Sequence, residues 1–259
     1  MFYTSLQPYF YPYLQIVQGD SITTAGHITQ TFSFTSTVAS IAVSLLIKYT
    51  KHYKYYVTLG AAIYLMGIGL MIRYRVEESS TAQIVGTQIA VGIGGGMLNV
   101  PAQLAVQASV LHEDVAAVTA IFLTLVEIGG AVGAAISGAV WTSNLAYKLD
   151  LYLPPAAKSQ AATILGSLTA AQAFPMGSPE RIAINQAYQE TMNILLIISV
   201  CLAIPLIPLS LILRNYKLDQ VSRRVPDRSG YTDSHADEPR SGWARDWTNP
   251  TARSSPRSA

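Results

Sequence analysis

Five stretches of about 20 residues, each apolar and almost free of charge, decide which solvent this chain folds in. They run near Ile28–Ile47, Tyr55–Ile72, residues 84–104, residues 118–141 and Thr191–Leu213. Only one of them contains an acid, Glu127. A bilayer core of about 30 Å is crossed by roughly 20 helical residues of this kind. Buried helices of a soluble protein seldom run so long without charge, and here too little polar sequence is left to surround them. Charged residues make up 12% of the chain, against about 25% in an ordinary soluble domain. Nine of the 17 Lys and Arg residues fall after Leu213, so the remainder is poorer still. The expected fold is therefore all-α and integral to the membrane, with about five complete transmembrane helices in a bundle over residues 19–213.

Residues 1–18 add a partial element. The run is aromatic and uncharged but short, and Pro8 and Pro12 interrupt it. Tyr9, Phe10, Tyr11 and Tyr13 suit a membrane interface, and the segment is expected to be the end of a further span. Residues 214–259 turn to Ser, Pro, Arg, Asp and Gly, a composition that cannot offset its ordering entropy. They are expected to be a disordered cytoplasmic tail, with Trp243 and Trp247 solvated rather than docked on a partner or the membrane surface.

Lysine and arginine in short loops set the orientation. Lys48, Lys51 and Lys54 follow the first span, and Arg214, Lys217, Arg223 and Arg224 follow the fifth. Five alternating spans put both groups on one side, expected to be cytoplasmic. Arg73 and Arg75 oppose this, although Glu77 and Glu78 follow them. Residues 142–190 are then an extracellular or luminal loop. Within it, residues 156–174 are Ala-rich and predict a surface helix. Ser178, Pro179 and Glu180 predict the start of a further helix, with a hydroxyl cap, Pro at the first position and an acid at the positive dipole end, continuing through Tyr188 into the fifth span.

The net charge of +2 offers no basic surface for nucleic acid. A single cysteine, Cys201, forms no intramolecular disulfide, and His27, His52, His112 and His235 show no shared metal spacing. No resident metal or other cofactor is expected. No cluster of nucleophile and base suggests an enzyme.

Other residues carry more information. Gly92, Gly94, Gly95 and Gly96 lack the following Gly-Lys-Ser/Thr and the preceding strand of a phosphate loop. In the middle of a span they serve close helix packing or bending. Pro101 adds a kink point. Gly129, Gly130, Gly133, Ala134 and Gly138 form small-residue rows on the fourth span, suited to tight packing or to helix rocking. A carboxylate at the depth of Glu127 costs at least about 2.5–3.5 kcal/mol in lipid, so it must meet a cavity or a partner. It is the proton-coupling candidate, the alternative being a hydrogen bond to a neighbouring helix. Asn99, Gln103 and Gln107 recur every four residues along the third span, with Gln88 further up. Such a stripe needs partners or water, supplied by a translocation path or by interhelical bonds. Tyr13 and Gln15 are weaker pathway candidates.

In the third and fourth spans, the run GIGGGMLNVPAQLAVQASVLHEDVAAVTAIFLTLVEIGGAVGAAISGAVWTSNL resembles the siderophore–iron transporters of fungi, a branch of the major facilitator superfamily. YLQIVQGDSITTAGHITQTFSF, YKYYVTLGAAIYLMGIGLMIRYR and SPERIAINQAYQETMNILL extend the resemblance in order over residues 10–220. The resemblance implies the C-terminal helix bundle of a transporter with about 14 spans, which carries ferric siderophore inward with protons by rocking two halves about a central site. It also implies residence in a plasma membrane or an endosomal vesicle membrane, and an outer loop that handles substrate, in which Arg181 and Tyr188 are the candidates. The iron would arrive already chelated. Family members are about twice this length, which implies a missing N-terminal half. Two other readings stay open from the residues alone: a multidrug–proton antiporter of the 14-span class, and a truncated membrane protein that does not transport.

Overall fold

The computed structural model describes residues 6–77 and 79–213, and the predicted tail lies outside them. Among the described residues all regular secondary structure is helical. The elements are α1 (Gln7–Ile16), α2 (Ile22–Thr50), α3 (Lys54–Tyr74), α4 (Thr81–Gln107), α5 (Val115–Tyr152), α6 (Ala161–Gly166), α7 (Leu168–Gln172), α8 (Pro179–Ala203) and α9 (Leu206–Ile212). Five helical stretches, with α8 and α9 counted together, are long and apolar enough to cross a membrane.

Local chemistry sets the helix starts. Ser21 Oγ accepts from the Thr24 amide and starts α2. Ser80 and Gln83 form a reciprocal capping box at α4. Ser178 caps α8 through the Arg181 amide, with Pro179 in the first turn, where its missing N–H costs nothing. Pro205 breaks the last apolar stretch into α8 and α9, and Lys54 Nζ donates to the Leu211 carbonyl at 2.7 Å near the end of α9.

The helices overrun the apolar windows read from the sequence. α5 continues as helix to Tyr152, beyond the expected loop start at Thr142, whereas α8 begins at Pro179, the start that Ser178 and Pro179 predict, and runs unbroken into the fifth apolar window. At 1.5 Å per residue, the 38 residues of α5 reach about 57 Å, well beyond a core of about 30 Å. Only residues 153–178 connect the two helices. The single Ala-rich surface helix expected there is instead a 3-10 turn (Lys158–Gln160) followed by α6 and α7, broken at Ser167, whose hydroxyl caps α7. The end of the bundle that holds this linker is termed the cap end below.

α4 lies between α2 and α3, and its glycines let it do so. A Cβ on Gly94 would sit 2.5 Å from the Tyr64 amide nitrogen of α3. On the other side, a Cβ on Gly96 would collide with the Ser36 carbonyl of α2. Gly92 abuts Thr35 and the Phe32 carbonyl, whereas Gly95 has ordinary clearance from the Phe32 ring. The glycine run thus serves two contact faces at once.

α5 is different. Its buried residues are Gly133, Ser137, Trp141, Leu145 and Leu149, a single row spaced by four. The neighbouring row is looser: Ala134 is exposed, and a Cβ on Gly130 would meet nothing within 4 Å. Gly138 approaches the Tyr9 hydroxyl, and Gly129 is half-buried. The expected small-residue surface therefore packs along one of its rows. The most apolar part of α5 has no buried residue within this chain.

Candidate functional site

The polar chemistry gathers at the cap end, where α1, α3, α5 and α8 meet. α8 supplies most of it. Arg181, Asn185 and Gln189 are spaced by four and lie along one side of the helix. Arg181 is buried, and its guanidinium joins two separate elements, with Nη1 donating to the Ala171 carbonyl of α7 and Nη2 to the Ile16 carbonyl of α1, each at 2.8 Å. One turn on, Asn185 donates to Glu77 Oε1 at 2.8 Å. Gln189 donates to the Arg75 carbonyl and accepts from Tyr13 Oη at 2.8 Å. Three consecutive turns of α8 thereby hold α1, α7 and the segment after α3.

Arg75 explains its own awkward place in the charge count. It is only 1% exposed, with its guanidinium carbon 3.8 Å from the Phe10 ring centroid. It packs inside the cap end rather than facing the surface, so it does not act as a loop charge. A guanidinium over an aromatic face is attracted by the ring quadrupole, and Arg75 Nη1 also reaches Met192 Sδ at 3.9 Å. Beside it, Tyr9 stacks on Trp141 at 4.9 Å, and Tyr188 meets Trp141 edge-on at 5.5 Å. These rings close the seam between α1, α5 and α8.

On another side of α8, Glu190 faces α5. Its carboxylate takes Lys148 Nζ, Tyr152 Oη at 2.9 Å and Gln186 Nε2 at 3.0 Å. This pair joins the parts of α5 and α8 that overrun the apolar windows.

The sequence candidates fall into separate places. Tyr13, Gln15, Arg181 and Tyr188 all belong to the cap end, and Gln15 accepts from Gln172 of α7 at 3.1 Å. Gln103 and Gln107 lie toward the opposite end of α4. They line a groove of about 320 Å³ with Ser44, Ile47, Val100 and Leu104, and Gln107 donates to Thr119 of α5 at 2.9 Å. Asn99 is exposed on α4 and does not line that groove. Gln103 is 22 residues from Thr81, about 33 Å along the helix, so the two sets are not one site in this chain. Glu127 is exposed on α5, away from both. No group of three His, Cys, Asp or Glu residues suited to a metal occurs among the described residues.

Arg75, Glu77, Asn185, Gln189, Lys148, Glu190 and Trp141 were not singled out from sequence. The row on α8 carried a legible signal, the same four-residue spacing that marks Asn99, Gln103 and Gln107. The Arg75–Phe10 and Lys148–Glu190 pairings had none, because they join positions far apart in the chain.

No family model matches the chain, and no solved structure does. Among curated proteins it is 61% identical over 221 residues to "Siderophore iron transporter mirC" of Emericella nidulans, a match that covers 85% of this chain and 36% of that protein. "MFS siderochrome iron transporter C" of Aspergillus fumigatus is 59% identical with the same coverage. "Siderophore iron transporter 1" of Schizosaccharomyces pombe is 41% identical over 72% of this chain and 31% of that protein. The chain thus spans about a third of the length of the curated relatives it matches. Matched along most of its own length at these identities, and built of the apolar helices such proteins need, the chain belongs to the fungal siderophore–iron transporters of the major facilitator superfamily.

Proposed function

We propose that this chain is the C-terminal part of a proton-coupled importer of ferric siderophore chelates. The observation that carries the proposal is the 61% identity, sustained over 221 residues, to a protein named for siderophore iron transport. In this reading the lysine-bearing ends of α2 and α3 are cytoplasmic, the cap end faces outward, and the protein resides in a plasma membrane or an endosomal vesicle membrane. The chelate meets the cap end first, near Tyr13, Gln15, Arg181 and Tyr188. Asn99, Gln103 and Gln107 line the inner part of its path, where their amides offer donors and acceptors to a polar chelate.

Glu127 is the proton-coupling residue in this reading. It stands exposed on an apolar helix, and a carboxylate facing lipid would cost at least about 2.5–3.5 kcal/mol. A water-filled cavity completed by the rest of the transporter removes that cost and gives protons access.

The test is uptake of a labelled ferric siderophore by transporter-null yeast expressing the full-length protein. Uptake that a proton ionophore abolishes, and that Gln103→Leu impairs without lowering membrane abundance, is the expected result. Drug efflux without uptake of any ferric siderophore in a panel would assign the protein to the antiporters instead.

A further inference from the structure

The path described above leaves most of the polar residues of α2 unused. Thr23, Gln30, Thr37 and Ser44 recur every seven residues, two helical turns apart, with Ser33 and Ser40 between them. Positions so spaced share one face of a helix. From Thr23 to Ser44 this face rises about 32 Å, close to the roughly 30 Å of a hydrocarbon core. All of these side chains but Ser40 are exposed. Ser40 leans on α4, its hydroxyl donating to the Gly96 carbonyl at 3.3 Å. The adjacent face differs in kind: Phe34, Val38, Leu45 and Tyr49 are exposed there and present the rings and aliphatic groups that lipid accepts. The uncovered side of α2 is thus divided lengthwise into a polar half and an apolar half.

Hydroxyls alone do not decide what the polar half meets. Thr37 and Ser44 donate to the Ser33 and Ser40 carbonyls, at 2.9 and 2.7 Å, and so satisfy their own protons within the helix. Gln30 does decide. Its carboxamide carries two donors and an acceptor, it is exposed, and no described residue partners it. Lipid would leave all of these unmet. At the other end the face runs into the groove, where Ser44 stands beside Gln103 and Gln107. No Asp, Glu, Lys or Arg occurs between Ile22 and Ile47. The face therefore offers hydrogen bonds that a moving cargo can exchange without being trapped by a charge. We propose that the polar face of α2 is a wall of the transport path, wetted from near the cap end to that groove, and that Gln30 binds the chelate on it. The proposal rests on the reading of the chain as part of a chelate importer. It adds α2 to the walls already assigned, and the rest of the transporter supplies the wall opposite.

The test is the reactivity of single cysteines in the full-length protein, with its other cysteines, Cys201 among them, replaced by serine. Permeabilised yeast gives a charged methanethiosulfonate access from both sides of the membrane. The reagent attacks the thiolate, which forms in water and not in lipid. Gln30→Cys, Ser33→Cys and Thr37→Cys are expected to react at least tenfold faster than Phe34→Cys, Val38→Cys and Leu45→Cys. Equal rates on the two faces, slow or fast, overturn the proposal: slow rates mean that lipid or a packed helix covers the polar face, and fast rates mean that α2 is wetted all round. Contact with the chelate is read separately. Gln30→Leu is expected to raise the chelate concentration for half-maximal uptake at least fivefold at unchanged membrane abundance, and Phe34→Leu to leave it unchanged. If Gln30→Leu fails to reach the membrane, Gln30→Ala takes its place with the same expectation. Fast labelling with an unaltered half-maximal concentration overturns the role of Gln30. Labelling needs no cargo, so a wetted face in a protein that takes up no ferric siderophore would discard the importer reading and keep the wall.

Discussion

Gly94→Ala is the sharpest probe of how the α2–α4–α3 sandwich is built. The added Cβ would lie 2.5 Å from Tyr64 N, 2.6 Å from its Cα and 2.8 Å from its Cβ. Two of these atoms are backbone, so no rotamer change relieves the clash. The Cβ falls about 1 Å short of the 3.5–4.0 Å optimum for such pairs, so α3 and α4 must separate. Separation in turn opens the contact at Gly60, whose missing Cβ faces Met97. Overpacking of this kind costs about 1–3 kcal/mol. The chain is large enough that 1 kcal/mol corresponds to a shift of about 2–4 °C in Tm, so a drop of several degrees is expected. Size-exclusion fluorescence of the detergent-solubilised protein after stepped heating measures it. Gly95→Ala is the matched control one residue away, where the nearest atoms are 3.7 Å distant. Its Tm should stay within a degree or two of wild type. Equal losses from the two substitutions, or none from Gly94→Ala, would refute the close-approach argument.

Gln189→Leu strips the partner from Tyr13 Oη and from the Arg75 carbonyl together. Leaving buried polar atoms unsatisfied costs about 1–3 kcal/mol each, so the same heating assay should show a loss as large as that of Gly94→Ala. Lys148→Met should cost only about 1 kcal/mol, because the Lys148–Glu190 pair is partly solvated. Exchanging the two residues (Lys148→Glu with Glu190→Lys) should recover most of that loss, and raising the salt concentration should shrink the effect. Burial holds the Asp20 carboxyl above its ordinary range. The folded chain therefore binds this proton more readily than the unfolded chain does, and Asp20 lowers stability as pH rises through that range. Asp20→Asn should flatten that part of a Tm-versus-pH curve.

What the sequence disclosed follows the physics of each signal. Helix existence was plain because lipid demands uncharged runs of one length, and Ser178–Pro179 marked the start of α8 because capping is local. The ends of α5 were not plain. Hydropathy reports where the bilayer stops, whereas the helix continues as long as partners such as Trp141, Leu145 and Leu149 bury its inner row. The glycines could be read as close packing, but not that Gly94 serves α3 while Gly96 serves α2. That split depends on which helices flank α4. At the cap end, Arg181 and Tyr188 stood out from their sequence context. Arg75 was misleading there, because loop-charge counting treats every arginine near a span end as solvated and this one lies beneath Phe10.

Many of the contacts that gather the cap end terminate on main-chain oxygens: Arg181 on residues 171 and 16, Gln189 on residue 75, Gln18 on residue 76 at 2.8 Å. Any amino acid supplies a carbonyl. The identity of the gripped residue is therefore free to drift, provided the backbone keeps its course. The exposed residues of the linker can therefore change in size or polarity without redesign of the fastening beneath.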